Sequence, residues 1–173
     1  MRKAYIAKVL GMAAAIPMLT LAATGSAYAD GSGITWTQRS TDHCLMWHNG
    51  TNGYWLSGDA ICWNDGQKQG VLWDDSQSGL ENQTGEYWTE KVHNTGVCLT
   101  AYWAPNNSSP GSAYLEPCSG PANYYEQWKE VSVGNGFQLV NRETGWCLDG
   151  NGNGDMYTTP CDPKHNNKYQ IWY

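Results

Sequence analysis

The sequence predicts an all-β fold assembled from three copies of one module, and three observations predict it. A Cys-Leu pair, a second Cys and a late Trp recur in that order: Cys44-Leu45, Cys62 and Trp73; Cys98-Leu99, Cys118 and Trp128; Cys147-Leu148, Cys161 and Trp172. The step from second Cys to Trp is 11, 10 and 11 positions, an agreement that marks an internal repeat. The composition is rich in aromatics and glycine, with 10 Trp, 11 Tyr and 20 Gly against one Phe, and such aromatics fit a pleated, half-buried surface. Finally, no stretch beyond residue 29 sustains a 3.6-residue apolar period. Short runs such as Ile34-Thr35-Trp36, Tyr87-Trp88-Thr89 and Phe137-Gln138-Leu139-Val140 are instead bounded by Gly, Asn, Asp and Ser, as strands are by turns.

Residues 1–29 read as a secretory signal peptide. Arg2, Lys3 and Lys8 form a basic start, Val9 to Ala23 is a short apolar run, and Ala27-Tyr28-Ala29 is a cleavage site of small residues. The apolar run is too short, and too interrupted by Pro17 and Thr20, to span a bilayer, which takes about 20 residues. A secreted protein is expected, with residues 30–173 forming a single domain. That part carries seven Lys/Arg against all sixteen Asp/Glu, a formal charge of −9. So acidic a chain lacks the basic patches that nucleic acid or an anionic membrane requires, so neither is expected as a partner.

The modules are expected at about 34–80, 86–128 and 129–173. The first opens on Ile34-Thr35-Trp36, turns at Arg39–His43 and runs into Cys44-Leu45-Met46-Trp47. Asn52-Gly53 is a hairpin signal before Tyr54-Trp55-Leu56. Ile61-Cys62-Trp63 and Val71-Leu72-Trp73 read as its later strands, and Asp74–Gly85 as a polar linker. In the second module, Asn94-Thr95-Gly96 turns the chain into Cys98–Trp103. An irregular loop, Ala104–Gly111, leads on to Ser112–Leu115 and Glu126-Gln127-Trp128. The third repeats this order from the turn Glu143-Thr144-Gly145.

All six Cys lie in the exported part, where an even count reads as a disulfide framework. Six Cys allow 15 connectivities. The repeat selects the one in which each module closes on itself: Cys44–Cys62, Cys98–Cys118 and Cys147–Cys161. Zinc does not suit the spacing, since there is no Cys-x-x-Cys, and no calcium-loop spacing is present; no metal and no cofactor are expected. A single module cannot bury its apolar face alone. Leu45, Leu99 and Leu148 are therefore expected in one shared core, with Trp73, Trp128 and Trp172 at equivalent buried positions.

These residues resemble the ricin-type (R-type, ricin B-like) lectin domain, a β-trefoil of three related modules. Cys147-Leu148-Asp149 and Gln170-Ile171-Trp172 look like that family's signatures, and the resemblance spans roughly Ile34 to Tyr173. It implies a β-trefoil and a carbohydrate partner, with the Asp after Cys-Leu as the key hydrogen-bond acceptor. Recognition of a sugar needs such a carboxylate, an amide to fix orientation and an aromatic ring to stack on the C–H face. Only the third module has the Asp, Asp149; Met46 and Thr100 stand there in the first and second. At most one site of this kind is therefore expected, with Asp149 as acceptor, Tyr157 as stacking ring and Asn167 and Gln170 as polar partners. The site departs from the family pattern in two places. Thr159 takes the place of the aromatic two residues before the second Cys, and Tyr169 that of the Asn before Gln.

No nucleophile elbow, metalloprotease helix or phosphate loop is present, and carboxylates such as Asp74-Asp75 read as solvated loop charges. A non-enzymatic, monomeric lectin-like protein is the expectation. The alternatives are a non-catalytic inhibitor or toxin-accessory protein acting through the Ala104–Gly111 loop, or an enzyme with an unrecognised site. Trp47 and Trp103 stand either as stacking platforms or as covers over the barrel. Asn49, Asn82, Asn106 and Asn107 each begin an Asn-x-Ser/Thr triplet open to glycosylation in a eukaryotic host.

Overall fold

The computed structural model describes residues 31–77, 86–104, 106 and 108–173. The expected signal peptide, Asn82, Asn107 and part of the Ala104–Gly111 loop lie outside the described residues. Among the described residues twelve strands follow one another: β1 (Ser32–Ile34), β2 (Cys44–Gly50), β3 (Gly53–Asp59), β4 (Gln69–Gly70), β5 (Trp73–Ser76), β6 (Trp88–Val92), β7 (Val97–Tyr102), β8 (Gly111–Pro117), β9 (Gln127–Ser132), β10 (Phe137–Asn141), β11 (Trp146–Gly150) and β12 (Met156–Pro160). Short 3-10 turns at Tyr124–Glu126 and Lys168–Gln170 lead into the second and third repeat Trp.

Five of these strands and the chain end close a barrel. β1 pairs with β5, β5 with β6, β6 with β9 and β9 with β10, all antiparallel. The chain end completes the ring. Phe137 and Trp172 exchange backbone hydrogen bonds of 2.8 and 2.9 Å, and Thr37 and Tyr173 exchange bonds of 2.9 and 3.0 Å. Closure removes the open edges that would otherwise invite pairing with other chains.

Six others form three hairpins, one per module, β2/β3, β7/β8 and β11/β12, and β4 adds to the free edge of β2. They meet one another, since β12 pairs with β8 through Tyr157–Ser112 and Gly58 N–H donates to Gly154 carbonyl at 2.8 Å. At that last contact Gly154 is glycine for a reason. Gly154 has φ +87°, and a Cβ there would collide with the Gly58 carbonyl oxygen. Barrel and hairpins together make a β-trefoil.

One core runs through all three modules. Leu45, Leu99 and Leu148 are fully buried in it with Trp73, Trp128 and Trp172. The three indoles do the same job. Trp73 Nε1 donates to Leu45 carbonyl at 3.0 Å, Trp128 Nε1 to Leu99 at 2.8 Å and Trp172 Nε1 to Leu148 at 3.2 Å. Each module thereby ties its last strand to its Cys-Leu strand, and a buried indole N–H finds the acceptor it requires. The disulfides are Cys44–Cys62, Cys98–Cys118 and Cys147–Cys161, each within its module.

Several local expectations change. Ile61-Cys62-Trp63 is not a strand but part of an exposed loop, held to the sheet by the Cys44–Cys62 disulfide and by Ile61 N–H, which donates to Asp59 Oδ1 at 2.9 Å rather than to a neighbouring strand. Asp74 and Asp75 are not solvated loop charges. They lie in β5, where period-two alternation turns Asp75 inward beside Trp73. Asp74 is half-buried and accepts from His93 Nδ1, Ser32 Oγ and the backbone N–H of Gly33 and Asn94. These donors outweigh its burial and hold its pKa down at about 2. The strand carrying Trp128 continues to Ser132.

Candidate functional site

In the third module β11 places Asp149 directly opposite Tyr157 of β12. The two strands alternate faces, and the pairing sets the Asp149 carboxylate among groups from three segments. Oδ1 accepts from the backbone N–H of Gly150 at 2.8 Å. Oδ2 accepts from Thr159 Oγ1 at 2.5 Å, Asn167 Nδ2 at 3.1 Å and Gln170 Nε2 at 3.2 Å. Asp149 is only 4% exposed. A carboxylate has about four lone-pair positions. Three donors crowd Oδ2 and one meets Oδ1, so any remaining capacity is on Oδ1.

Gln170 is buried more deeply, at 1% exposure. Its amide N–H groups reach Asp149, Thr159 Oγ1 at 2.7 Å and Pro160 carbonyl at 3.0 Å. Its carbonyl oxygen accepts from Asp162 N–H at 2.8 Å and Gln138 Nε2 at 3.3 Å. Gln170 therefore positions Asp149 and the loop after Cys161 rather than facing solvent. Asn167 works on two sides: its oxygen caps the Lys168–Gln170 turn through Tyr169 N–H, and its amide holds Asp149. Thr159, standing where the family carries an aromatic, spends its hydroxyl on the same carboxylate.

Tyr157, Asn167 and Tyr169 are the less buried side chains around this network. Tyr157 is half-buried and donates its hydroxyl to Gly150 carbonyl at 2.8 Å. Burial first, then the nearby Asp149 and Asp155 carboxylates, raise its phenol pKa. Tyr169 is exposed. The Gly150–Asp155 turn is organised by Asn151, whose Oδ1 accepts from Asn153 and Asp155 N–H.

The same positions in the other modules explain why only one holds an Asp. Counted back from the repeat Trp, Gln170 corresponds to Glu126 and to Val71; Asp149 corresponds to Thr100 and Met46. In module two the carboxylate has changed places. Glu126 is buried and accepts from Ser119 N–H and Oγ and from Asn123 Nδ2, the role that the Gln170 oxygen has toward Asp162. In module one both positions are apolar, and Met46 and Val71 pack with Cys44. The fold thus accepts an Asp/Gln, a Thr/Glu or a Met/Val pair.

Trp47 is a cover rather than a platform: it is buried, with Nε1 donating to Leu72 carbonyl at 3.2 Å. Trp103 is half-buried in an aromatic cluster that sequence reasoning did not assemble. Its ring meets Tyr125 edge-on at 5.8 Å, and Tyr125 lies 4.7 Å from Tyr102, which is 50% exposed. Tyr125 lies far along the chain from Tyr102 and Trp103, and only the turn capped by Asn123 brings it there.

No protein-family model matches the sequence, and no curated protein sequence matches it significantly. Solved structures do match. Cry35Ab1 aligns with TM-score 0.63 at 12% identity, over 83% of this chain and 35% of its own. SeviL, solved bound to asialo-GM1 saccharide, aligns with TM-score 0.56 at 18% identity, over 83% of this chain and 95% of its own. Polyporus squamosus lectin, solved bound to the epitope Neu5Aca2-6Galb1-4GlcNAc, aligns with TM-score 0.57 at 18% identity, over 84% of this chain and 49% of its own. The chain spans about a third of Cry35Ab1 and half of the Polyporus lectin. Identities this low speak to the fold alone.

Proposed function

We propose that the chain is a secreted, non-catalytic carbohydrate-binding module whose sugar site lies in the third module. The carrying observation is the Asp149 carboxylate, held by Gly150, Thr159, Asn167 and Gln170 beside the Tyr157 ring. Such pre-arrangement is what a weakly binding polar site requires, because little side-chain entropy remains to be lost. In this reading Tyr157 offers its face to the C–H side of a sugar, Asn167 a polar edge and Asp149 Oδ1 one acceptor. Gln170 acts through Asp149. Saccharides bound to SeviL and to the Polyporus lectin support the class of ligand. Three disulfides fit an oxidising, extracellular setting.

A second reading places the sugar on the Tyr102–Trp103–Tyr125 cluster, favoured by the exposure of Tyr102 and the absence of a competing internal carboxylate at Thr100. A glycan array followed by titration calorimetry on Tyr157→Ala and Tyr102→Ala separates the two. Loss of a stacked ring costs about 1–3 kcal/mol by analogy with base stacking, so the critical variant should lose roughly tenfold or more in affinity. Loss in Tyr157→Ala alone supports the third module. Loss in Tyr102→Ala alone moves the site to the second, and an array without any hit ends the carbohydrate reading.

A further inference from the structure

The barrel interior holds three carboxylates that the sugar site does not use. Asp75 on β5 and Glu90 on β6 are direct cross-strand partners, and Glu130 comes from β9, the neighbour of β6 on its other edge. One carboxylate oxygen from each lies within 4.8 Å of the other two, and all three residues are buried. The fold does not demand acid here. Counted from the first Cys of each module, Glu90 occupies the place that Trp36 and Leu139 fill elsewhere, and both of those are apolar core residues.

Glu90 adds a separate observation. Trp36 Nε1 donates to its Oε2 at 3.0 Å, while Oε1, on a residue with 0% exposure, takes no hydrogen bond. A buried carboxylate oxygen without a donor is costly. A hard cation is the group that answers three inward carboxylates at once.

We propose that Asp75, Glu90 and Glu130 bind a divalent cation of calcium size inside the barrel. The three oxygens lie within 4.8 Å of one another; calcium, with bonds of about 2.3–2.6 Å and a flexible coordination shell, tolerates such a loose set more readily than magnesium, which demands near-octahedral geometry at about 2.0–2.1 Å.

The test uses the full secreted chain, stripped with EDTA and dialysed at pH 8. At 100 times its dissociation constant, calcium should raise Tm by roughly 5–10 °C, magnesium by less, and calorimetry should give one site per chain. Glu90→Gln, which keeps the shape, and Glu90→Leu, the residue of module three, should both fold and lose the calcium response. The proposal is overturned if neither calcium nor manganese at 10-fold steps up to about 10 mM moves the wild-type Tm at pH 8. It is equally overturned if Glu90→Gln responds to calcium as the wild type does, since the ion then binds elsewhere. Glycan binding enters neither readout, so this result stands apart from the fate of the sugar site.

Discussion

At the scale of single residues, the Asp149 network changes what a conservative substitution means. Every recorded contact of its two oxygens comes from a donor: Gly150 N–H on one side, and Thr159, Asn167 and Gln170 on the other. Asp149→Asn keeps the shape but must turn an amide N–H toward one of those donor groups. Hydrogen bonds to a charged partner contribute about 1.5–3 kcal/mol each, and a donor facing a donor loses that much. Asp149→Asn should therefore lower Tm by several degrees, as a thermal melt will read, whatever it does to sugar affinity. An unchanged Tm would mean that the network does not hold the module. For this reason Tyr157→Ala, not Asp149→Asn, is the clean probe of binding.

At the scale of the element, the unit is a Cys-Leu strand, a hairpin and a returning Trp. Each Trp fills the core and caps the carbonyl of its module's Leu. A Trp→Phe change removes the donor and part of the buried volume. The expected cost is about 2–4 kcal/mol from cavity and lost hydrogen bond together. Trp73→Phe, Trp128→Phe and Trp172→Phe should be destabilised by similar amounts in urea melts. Trp55→Phe on the exposed face of β3, where the ring stacks on His48 at 4.9 Å, should shift the midpoint little. A large inequality among the three core variants would break the equivalence of the modules.

At the scale of the whole molecule, the barrel carboxylates set the pH dependence. Glu130 has its pKa raised from 4.5 to about 7 by burial, and burial, with the Asp75 and Glu130 carboxylates beside it, also raises Glu90 well above its ordinary value. For a carboxyl raised in the folded state, the folded chain binds more protons than the unfolded one. Its stabilising contribution is complete below about pH 4.5, falls as pH rises through about 7 and is absent above. Asp74, held at about 2, acts in the opposite sense but only below its ordinary value of 3.8, outside that window. In EDTA, Tm should thus be higher at pH 5 than at pH 8, by about 5 °C. Glu130→Gln should flatten the difference, as melts across that range will show; a Tm that rises toward pH 8 would contradict the buried carboxylates as its source.

The repeat is legible in the order of the residues alone, and with it most of the architecture. A spacing of Cys-Leu, Cys and Trp that recurs three times can be satisfied by one set of local disulfides and one shared core, and both are present. Repeats are legible because packing demands the same residue at the same place in each copy. Other features were decided only in three dimensions. The barrel closes by joining Thr37 to Tyr173 and Phe137 to Trp172, across separations on which no local pattern reports. Likewise, Asp75, Glu90 and Glu130 look like ordinary acidic residues until β5, β6 and β9 lie side by side. Tyr125 joins Tyr102 and Trp103 in the same way. Gln170 was legible as a signature but not as a buried one, because a side chain's partners, and hence whether it faces a ligand or holds another residue in place, are fixed by tertiary packing.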